Sequence, residues 1–292
     1  MTVAGVVVNP TKLSDPPQFR QAVDEAMAAH GWQPPLWLET TADDPGRGPA
    51  KEAVAAGADL VLACGGDGTV TACAEGLAGT GVPLGIIPLG TGNLLARNVG
   101  LPAAVDDALA AALTGRDVAI DAGLVNGSLF VVMTGVGLDA RMLADASEPL
   151  KRQIGWAAYA LAALRHLRDR PVRVRVSADG KPARWMRANA IIIGNVGWLR
   201  GGLPLLPDAQ PDDGLLDAVL LSARGWPSWA ALAAHVLTRR GRPAGVTRIQ
   251  FSQLQLDLDS VQPFELDGEV MGSTRRLVVE AQPGGLLLRL PA

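Results

Sequence analysis

The sequence predicts a two-domain protein in which a doubly wound, mostly parallel α/β domain precedes a β-rich domain. Three observations carry this expectation. Short apolar runs alternate with helically spaced segments through the first 115 residues, the pattern of strands joined by crossover helices. From about Asp121 extended segments dominate, several joined by turn dipeptides such as Asn126-Gly127 and Asp179-Gly180. The 292 residues are also about twice the usual single-domain length. The expected domains are 1–120 and 121–292, with the last strand free to return to the first domain.

In the first domain, Ala4 to Val8 reads as a buried strand that ends at Asn9-Pro10. Phe19 to Ala29 has helical spacing and stops at Gly31. Leu36 to Thr40 reads as extended, Pro49 to Ala56 as a helix stopped by Gly57, and Asp59 to Cys64 as another buried strand. A helix over Val70 to Leu77, a strand over Leu84 to Ile87 and helices over Leu94 to Val99 and Asp106 to Leu113 complete it. In the second domain Ala122 to Thr134, Val172 to Ala178, Trp185 to Ile193, Leu215 to Leu221, Arg248 to Leu258, Pro263 to Leu266 and Arg276 to Glu280 read as extended. Helical stretches near 150–169 and 226–240 interrupt them.

Composition excludes several classes. Two cysteines, Cys64 and Cys73, cannot build a disulfide framework, and no Cys/His spacing supports zinc. Met1 to Pro10 lacks the basic start of a signal peptide, and no apolar stretch is long enough to span a membrane. A soluble protein of a reducing compartment is expected. His30, His166 and His235 lie outside every motif, which argues against a His-based nucleophilic mechanism. Charge is unevenly placed: residues 1–140 carry 6 Lys/Arg against 15 Asp/Glu, and residues 141–200 carry 12 against 4. The basic middle suits an anionic partner, although an uneven surface gives the same pattern.

Two glycine-rich loops carry the chemistry. Gly65-Gly66-Asp67-Gly68-Thr69 follows a buried strand and opens a helix, a place where unpaired N–H groups and the helix dipole favour phosphate. It has neither the P-loop lysine nor the Gly-x-Gly-x-x-Gly spacing, and alone it is compatible with an ordinary turn. Pro88-Leu89-Gly90-Thr91-Gly92-Asn93 repeats the arrangement after the next strand. Two such loops at adjacent strand ends would converge on one ligand crevice.

Together with Asp212-Asp213-Gly214-Leu215-Leu216 and Leu266-Asp267-Gly268-Glu269, these loops occur in the order seen in the diacylglycerol kinase catalytic-domain family. The chain resembles the bacterial lipid kinases of that family, relatives of sphingosine kinase, over essentially its whole length. The first loop alone is shared with NAD kinases and phosphofructokinases, whereas the four motifs in order are specific. The resemblance implies a nucleotide-binding α/β domain and a β-sandwich domain, with ATP in the cleft between them. It implies nucleotide contacts from Asn9, Pro10, Thr40 or the adjacent Thr41, and the loop Gly65, Gly66, Asp67, Gly68, Thr69, Val70 and Thr71. Gly90, Thr91 and Asn93 of the second loop join them. It further implies Mg²⁺ held by the Asp213 carboxylate with the carbonyls of Gln210 and Leu215, and Glu269 as general base. Two departures from the family pattern stand out: Thr71-Ala72 where Asn-Glu is common, and Asn93-Leu94 where Asn-Asp is common.

Phosphoryl transfer needs a phosphate cradle, a cation to spread charge, and a base for the alcohol proton. Glu269 suits the last role, and a solvated hairpin-turn acid is the other reading of it. Asp212 reads as a turn residue, and Asp67 either holds a metal-bound water or orients its loop. Asp121 and Asp139 read mainly as structural. The two helical stretches combine Trp156, Trp226 and Trp229 with basic residues such as Lys151, Arg152, Arg165, Arg168 and Arg170, as interfacial helices do, although ordinary packing accounts for each singly.

The expected activity is therefore ATP- and Mg²⁺-dependent phosphorylation of a membrane lipid, diacylglycerol first among candidates, at the cytoplasmic face of an anionic membrane. An NAD kinase and a silent lipid- or nucleotide-binding protein are the alternatives. No nucleic-acid partner is expected, and a homodimer is compatible with the sequence.

Overall fold

A computed structural model describes residues 2–137, 171–199, 203–223, 228 and 245–292. The helical stretches near 150–169 and 226–240, with Asp139, His166, His235 and the basic and aromatic residues named in them, lie outside the described residues, apart from Ser228. The chain divides into one unit of residues 1–122 with 283–292 and another of residues 123–282.

The first unit alternates strands and helices. Its elements are β1 (Ala4–Val8), α1 (Pro16–Ala29), β2 (Leu36–Glu39), α2 (Arg47–Ala55), β3 (Leu60–Gly65), α3 (Asp67–Leu77), β4 (Leu84–Pro88), α4 (Leu94–Asn98) and α5 (Val105–Thr114). The strands lie in the order β2-β1-β3-β4, each pair parallel. A parallel sheet covered on both faces requires near-continuous apolar strands, and β1, β3 and β4 are buried at every position. One face is covered by α1 and α5, where Phe19, Val23 and Met27 meet Leu109 and Leu113 over Val6, Leu62 and Ile87. Phe19, Val23 and Met27 recur every four residues and so share one stripe of α1. The same helix begins at Asp15, whose carboxylate accepts from Gln18 N–H at 3.0 Å, with Pro16 in the first turn. It ends before Gly31, which has φ +75°. Truncating a buried leucine such as Leu62 should cost about 2–5 kcal/mol.

The second unit is antiparallel. After β5 (Arg116–Val125) come β6 (Ser128–Phe130), β7 (Met133–Gly137), β8 (Val172–Ala178), β9 (Arg184–Ala188), β10 (Ala190–Gly194), the short pair β11 (Trp198–Leu199) and β12 (Leu203–Pro204), β13 (Leu216–Leu221), β14 (Val246–Phe251), β15 (Gln253–Leu266) and β16 (Glu269–Leu290). β5 and β16 each contribute residues to both units. In the second unit β14-β13-β10-β7 run side by side, and β7 meets the far end of β15. The near end of β15 pairs with β8, which pairs with β9. A register break between Asp257 and Gln262 lets one strand serve both layers. Their inner faces share a core that includes Phe130, Ile191, Ile193, Leu216, Phe251, Leu254 and Leu256, so the unit is a β-sandwich.

Three expected extended segments divide in the structure. Ala122 to Thr134 contains a reversal at Asn126-Gly127, where both residues have positive φ, followed by a break at Val131-Val132. Trp185 to Ile193 turns at Asn189, whose side-chain oxygen accepts from Ala223 N–H at 2.9 Å. Arg248 to Leu258 is interrupted at Ser252, whose N–H donates to the Asp179 carboxylate at 2.9 Å. Among the described residues no helix is long and apolar enough to cross a membrane.

Candidate functional site

The parallel strands of the first unit deliver their carboxyl ends to one edge. Asn9 follows β1, Thr40 follows β2, Gly65 closes β3 and Pro88 closes β4. From β1 the chain crosses to β2 on one side and then to β3 on the other, so β1 and β3 flank the switch point where open α/β sheets bind ligands. Asn9 donates its N–H to Cys64 O, and its side-chain oxygen accepts from the N–H and hydroxyl of Thr11, fixing a 3-10 turn over Pro10–Lys12. Thr40 and Thr41 separate clearly. Thr40 is buried and its N–H donates to Val8 O, whereas Thr41 is exposed and its hydroxyl accepts from Asp44 N–H.

The two glycine loops are clamped to each other. Asp67, first residue of α3, accepts from Asn93 N–H at 2.9 Å through one carboxylate oxygen and from Leu94 N–H at 2.5 Å through the other. The carboxylate therefore caps α4 from the neighbouring loop. In this geometry Asp67 orients its own loop and the neighbouring one. Asn93 adopts the left-handed conformation, φ 50° and ψ 50°, and closes its own loop: its amide donates to Gly90 O at 2.8 Å and accepts from Gly90 N–H at 3.1 Å. The loops also touch through backbone. A Cβ on Gly90 would lie 2.6 Å from Gly66 Cα, so that contact excludes a side chain. At the start of α3 the N-cap Gly66 has no side chain to satisfy the first-turn N–H groups. Thr69 is buried, Gly66 to Gly68 and Thr71 are half-buried, and Thr91 is exposed.

Cys64 and Cys73 are both buried, and burial pushes each thiol far above its ordinary value, so they are packing residues rather than nucleophiles. Asp121 is buried and accepts from Gly284 N–H, a structural bond within the first unit. His30 caps α1 through Ala26 O.

In the second unit Asp213 stands in the turn before β13, with Gly214 at φ +79°. One Asp213 oxygen accepts from Leu215 N–H and the other from the Gln250 side chain on β14, both at 3.0 Å. Asp217 lies close by. Burial raises its carboxyl above the usual range, the charges of Asp213 and Asp208 raise it further, and a hydrogen bond with Gln250 opposes them. Three carboxylates thus make this corner electronegative. Asp212 is exposed, as is Gln210, while Leu215 is half-buried. Among the described residues no three His, Cys, Asp or Glu side chains form a ready metal cage.

The hairpin between β15 and β16 holds the last motif. Asp267 and Gly268 both have positive φ, 46° and 91°, the two-residue turn whose twist matches its flanking strands. Asp267 also anchors a distant segment, because its carboxylate accepts from Val131, Val132 and Met133 N–H, each at 2.9 Å. Glu265 is buried and accepts from Gly268 N–H at 2.7 Å, and its own carbonyl accepts from the Thr134 hydroxyl. On this braced turn Glu269 is the first residue of β16, paired with Leu266 and exposed. Sequence reasoning gave no site role to Asp267, Glu265 or Gln250. For Asp267 the available signal was its place in the quoted motif.

Both units match known families. Residues 4–125 match the diacylglycerol kinase catalytic domain, and residues 130–289 match the YegS C-terminal NAD kinase beta sandwich-like domain. The chain is 36% identical over 262 residues to a protein of Pseudomonas aeruginosa described as "probable lipid kinase YegS-like", covering 87% of this chain and 83% of the relative. A Pseudomonas fluorescens protein of the same description is 34% identical over 285 residues, covering 94% and 91%. A crystal structure of a diacylglycerol kinase from Bacillus anthracis superposes with a TM-score of 0.74 at 19% identity, covering 99% of this chain and 96% of that one, and shares the fold. With both halves matched in order, and with 36% identity across most of its length, the chain belongs to the diacylglycerol kinase catalytic-domain family of lipid kinases.

Proposed function

We propose that this protein transfers the γ-phosphate of ATP to the hydroxyl of diacylglycerol, giving phosphatidic acid and ADP, and that Mg²⁺ assists. The observation that carries the proposal is the clamped pair of glycine loops at the carboxyl ends of β3 and β4, held by Asp67 with the open N-terminus of α3 between them. Backbone N–H groups in such a place donate to phosphate oxygens without a lysine. Thr40, Asn9 and Thr91 border the same strand ends and would contact the rest of the nucleotide.

The donor set at the turn before β13 fits a hard cation. There the Asp213 carboxylate would join the carbonyls of Gln210 and Leu215, with Asp208 and Asp217 adding negative charge nearby. When bound, Mg²⁺ would spread the charge of the transferring phosphoryl group. Glu269 would take the proton of the lipid hydroxyl as its oxygen attacks the γ-phosphorus and the bond to ADP breaks. A lipid alcohol is too weak an acid to ionise alone near neutrality, so a braced and solvent-accessible carboxylate suits this step. Asp267 would act as a positioning residue by locking the turn that presents Glu269.

The test is incubation of the pure protein with γ-labelled ATP, Mg²⁺ and dispersed diacylglycerol. Labelled phosphatidic acid supports the reading. Label in another lipid from a total extract would replace diacylglycerol as substrate, and label in NADP from added NAD would replace the lipid reading altogether.

A further inference from the structure

The outer face of the β8–β9 hairpin carries charge that folding does not call for. β8 turns Val174 and Val176 into the sandwich core and leaves Arg173 and Arg175 exposed. The antiparallel register sets Arg187 of β9 directly opposite Arg173, and Trp185 directly opposite Arg175. Arg187 is exposed, and Trp185 is 58% exposed. Like charges directly opposite on one face destabilise a hairpin, and a large exposed indole adds nothing to the core. Among the described residues none of these three arginines forms an ion pair, and the Arg173 guanidinium lies 5.1 Å from the Trp185 ring centre. Asp257 on β15 lies opposite Arg175 in register, yet its carboxylate is engaged by Arg276 at 3.7 Å and by the Gln255 amide. Arg173, Trp185, Met186, Arg187 and Ser222 bound a shallow open concavity on this face.

We propose that this face docks the protein on an anionic bilayer, with Arg173, Arg175 and Arg187 against lipid phosphates and Trp185 at headgroup depth. Charge complementarity here joins an interfacial aromatic. Guanidinium forks pair with phosphate, basic residues gather at anionic leaflets, and indoles settle where one end meets hydrocarbon and the other water. Single-stranded nucleic acid also attracts arginine and aromatics, but it needs a row of free rings for successive bases. Here one ring is present and Arg173 already covers it. The choice of a bilayer as occupant rests on the lipid-substrate reading, while the surface itself is read from the hairpin.

The test is sedimentation of the full chain with phosphatidylcholine vesicles, with and without about 30 mol% phosphatidylglycerol, in the absence of nucleotide and Mg²⁺. Binding should require the anionic lipid and weaken as salt rises. Changing Arg173, Arg175 and Arg187 together to Gln should lower the partition coefficient roughly a hundredfold, at about fivefold per arginine. Changing all three to Lys should retain most of the binding, and Trp185→Ser should reduce it several-fold. The Gln triple should melt at or slightly above the parent, since relief of the opposed Arg173 and Arg187 charges offsets the lost contact with Trp185, so a loss of binding there is not a loss of fold. Equal binding to neutral and anionic vesicles, a Gln triple variant within twofold of the parent, a Lys triple as weak as the Gln triple, or preference for single-stranded RNA over anionic vesicles would each overturn the proposal. Phosphorylation of a short-chain lipid dispersed as monomers reads the chemistry separately. Failure there sinks the substrate reading and leaves the vesicle result standing, while the Gln triple should keep that activity.

Discussion

Changing Asp67 to Ala should release the two glycine loops from each other, and Gly92→Ala should do so by another route. Asp67 accepts one hydrogen bond from each of two backbone N–H groups, Asn93 and Leu94, and both bonds are half-buried. At about 1.5 kcal/mol each, the low end for a bond to a charged group because the site is only half-buried, the pair is worth about 3 kcal/mol at most. A Cβ on Gly92 would strike the Asp67 oxygen that accepts from Asn93 N–H, so Gly92→Ala must turn the carboxylate aside and weaken the same bonds. Each single change should therefore cost about 2–3 kcal/mol. The double variant should cost little more than Asp67→Ala alone, because with no carboxylate there is nothing for the new methyl group to strike. The cycle should then show a coupling of about 2 kcal/mol, far above the scatter of independent sites. Urea unfolding of the parent, both singles and the double measures it, with ATP affinity by calorimetry as a second readout falling in parallel. Costs that add to within about 0.5 kcal/mol would refute the clamp, because the two positions would then act independently.

Three further outcomes follow from the other motifs. Glu269→Gln keeps size but removes basicity, so turnover should fall on the order of 10²- to 10⁴-fold while ATP binding survives, and turnover within threefold of the parent would dismiss Glu269 as base. Asp213→Asn should raise the Mg²⁺ needed for half-maximal rate roughly tenfold or more, with Asp212→Asn nearly silent; a titration that shifts only for Asp212 would exchange their roles. The Asp179 carboxylate is held below its usual range chiefly by accepting the Gln253 N–H, with Ser252 adding to it. Its stabilisation is thus present above the unfolded value near pH 4 and lost as pH falls through the lower folded value. Asp179→Ala should remove that part of the acid dependence below about pH 4, seen as a flatter plot of urea midpoint against pH. An unchanged slope would show that the carboxylate carries no linkage.

What local pattern decides was legible, and what distant hydrogen bonds decide was not. β1 and β8 were readable to their end residues because an unbroken apolar run and an alternating Val/Arg run have obvious limits. The glycine loops were readable because their residue types are rare outside tight turns and close backbone approaches. The break at Val131-Val132 was invisible, since the carboxylate that gathers those N–H groups is Asp267, far away in sequence. The corner at Asn189 left a faint trace, a polar residue inside an apolar run, but its meaning comes from Ala223. Asp67 was ambiguous for the same reason: its partners lie 26 and 27 residues downstream, and nothing in Gly-Gly-Asp-Gly states that they exist.

β16 bears on how the chain can be made. Its first half pairs with β15, whereas Leu288 near its end pairs with Leu84 of β4, and Arg289 reaches Asp117 and the carbonyl of Ala112. The first unit is therefore discontinuous, and its last strand is translated only after the whole sandwich sequence. The earlier-made sheet therefore waits, with the β4 flank uncovered, until the last residues of β16 are made. An exposed parallel edge is prone to pairing with other chains. Loss of residues 283–292 should accordingly damage the first unit, leave the sandwich standing, and make the chain dependent on chaperones during synthesis.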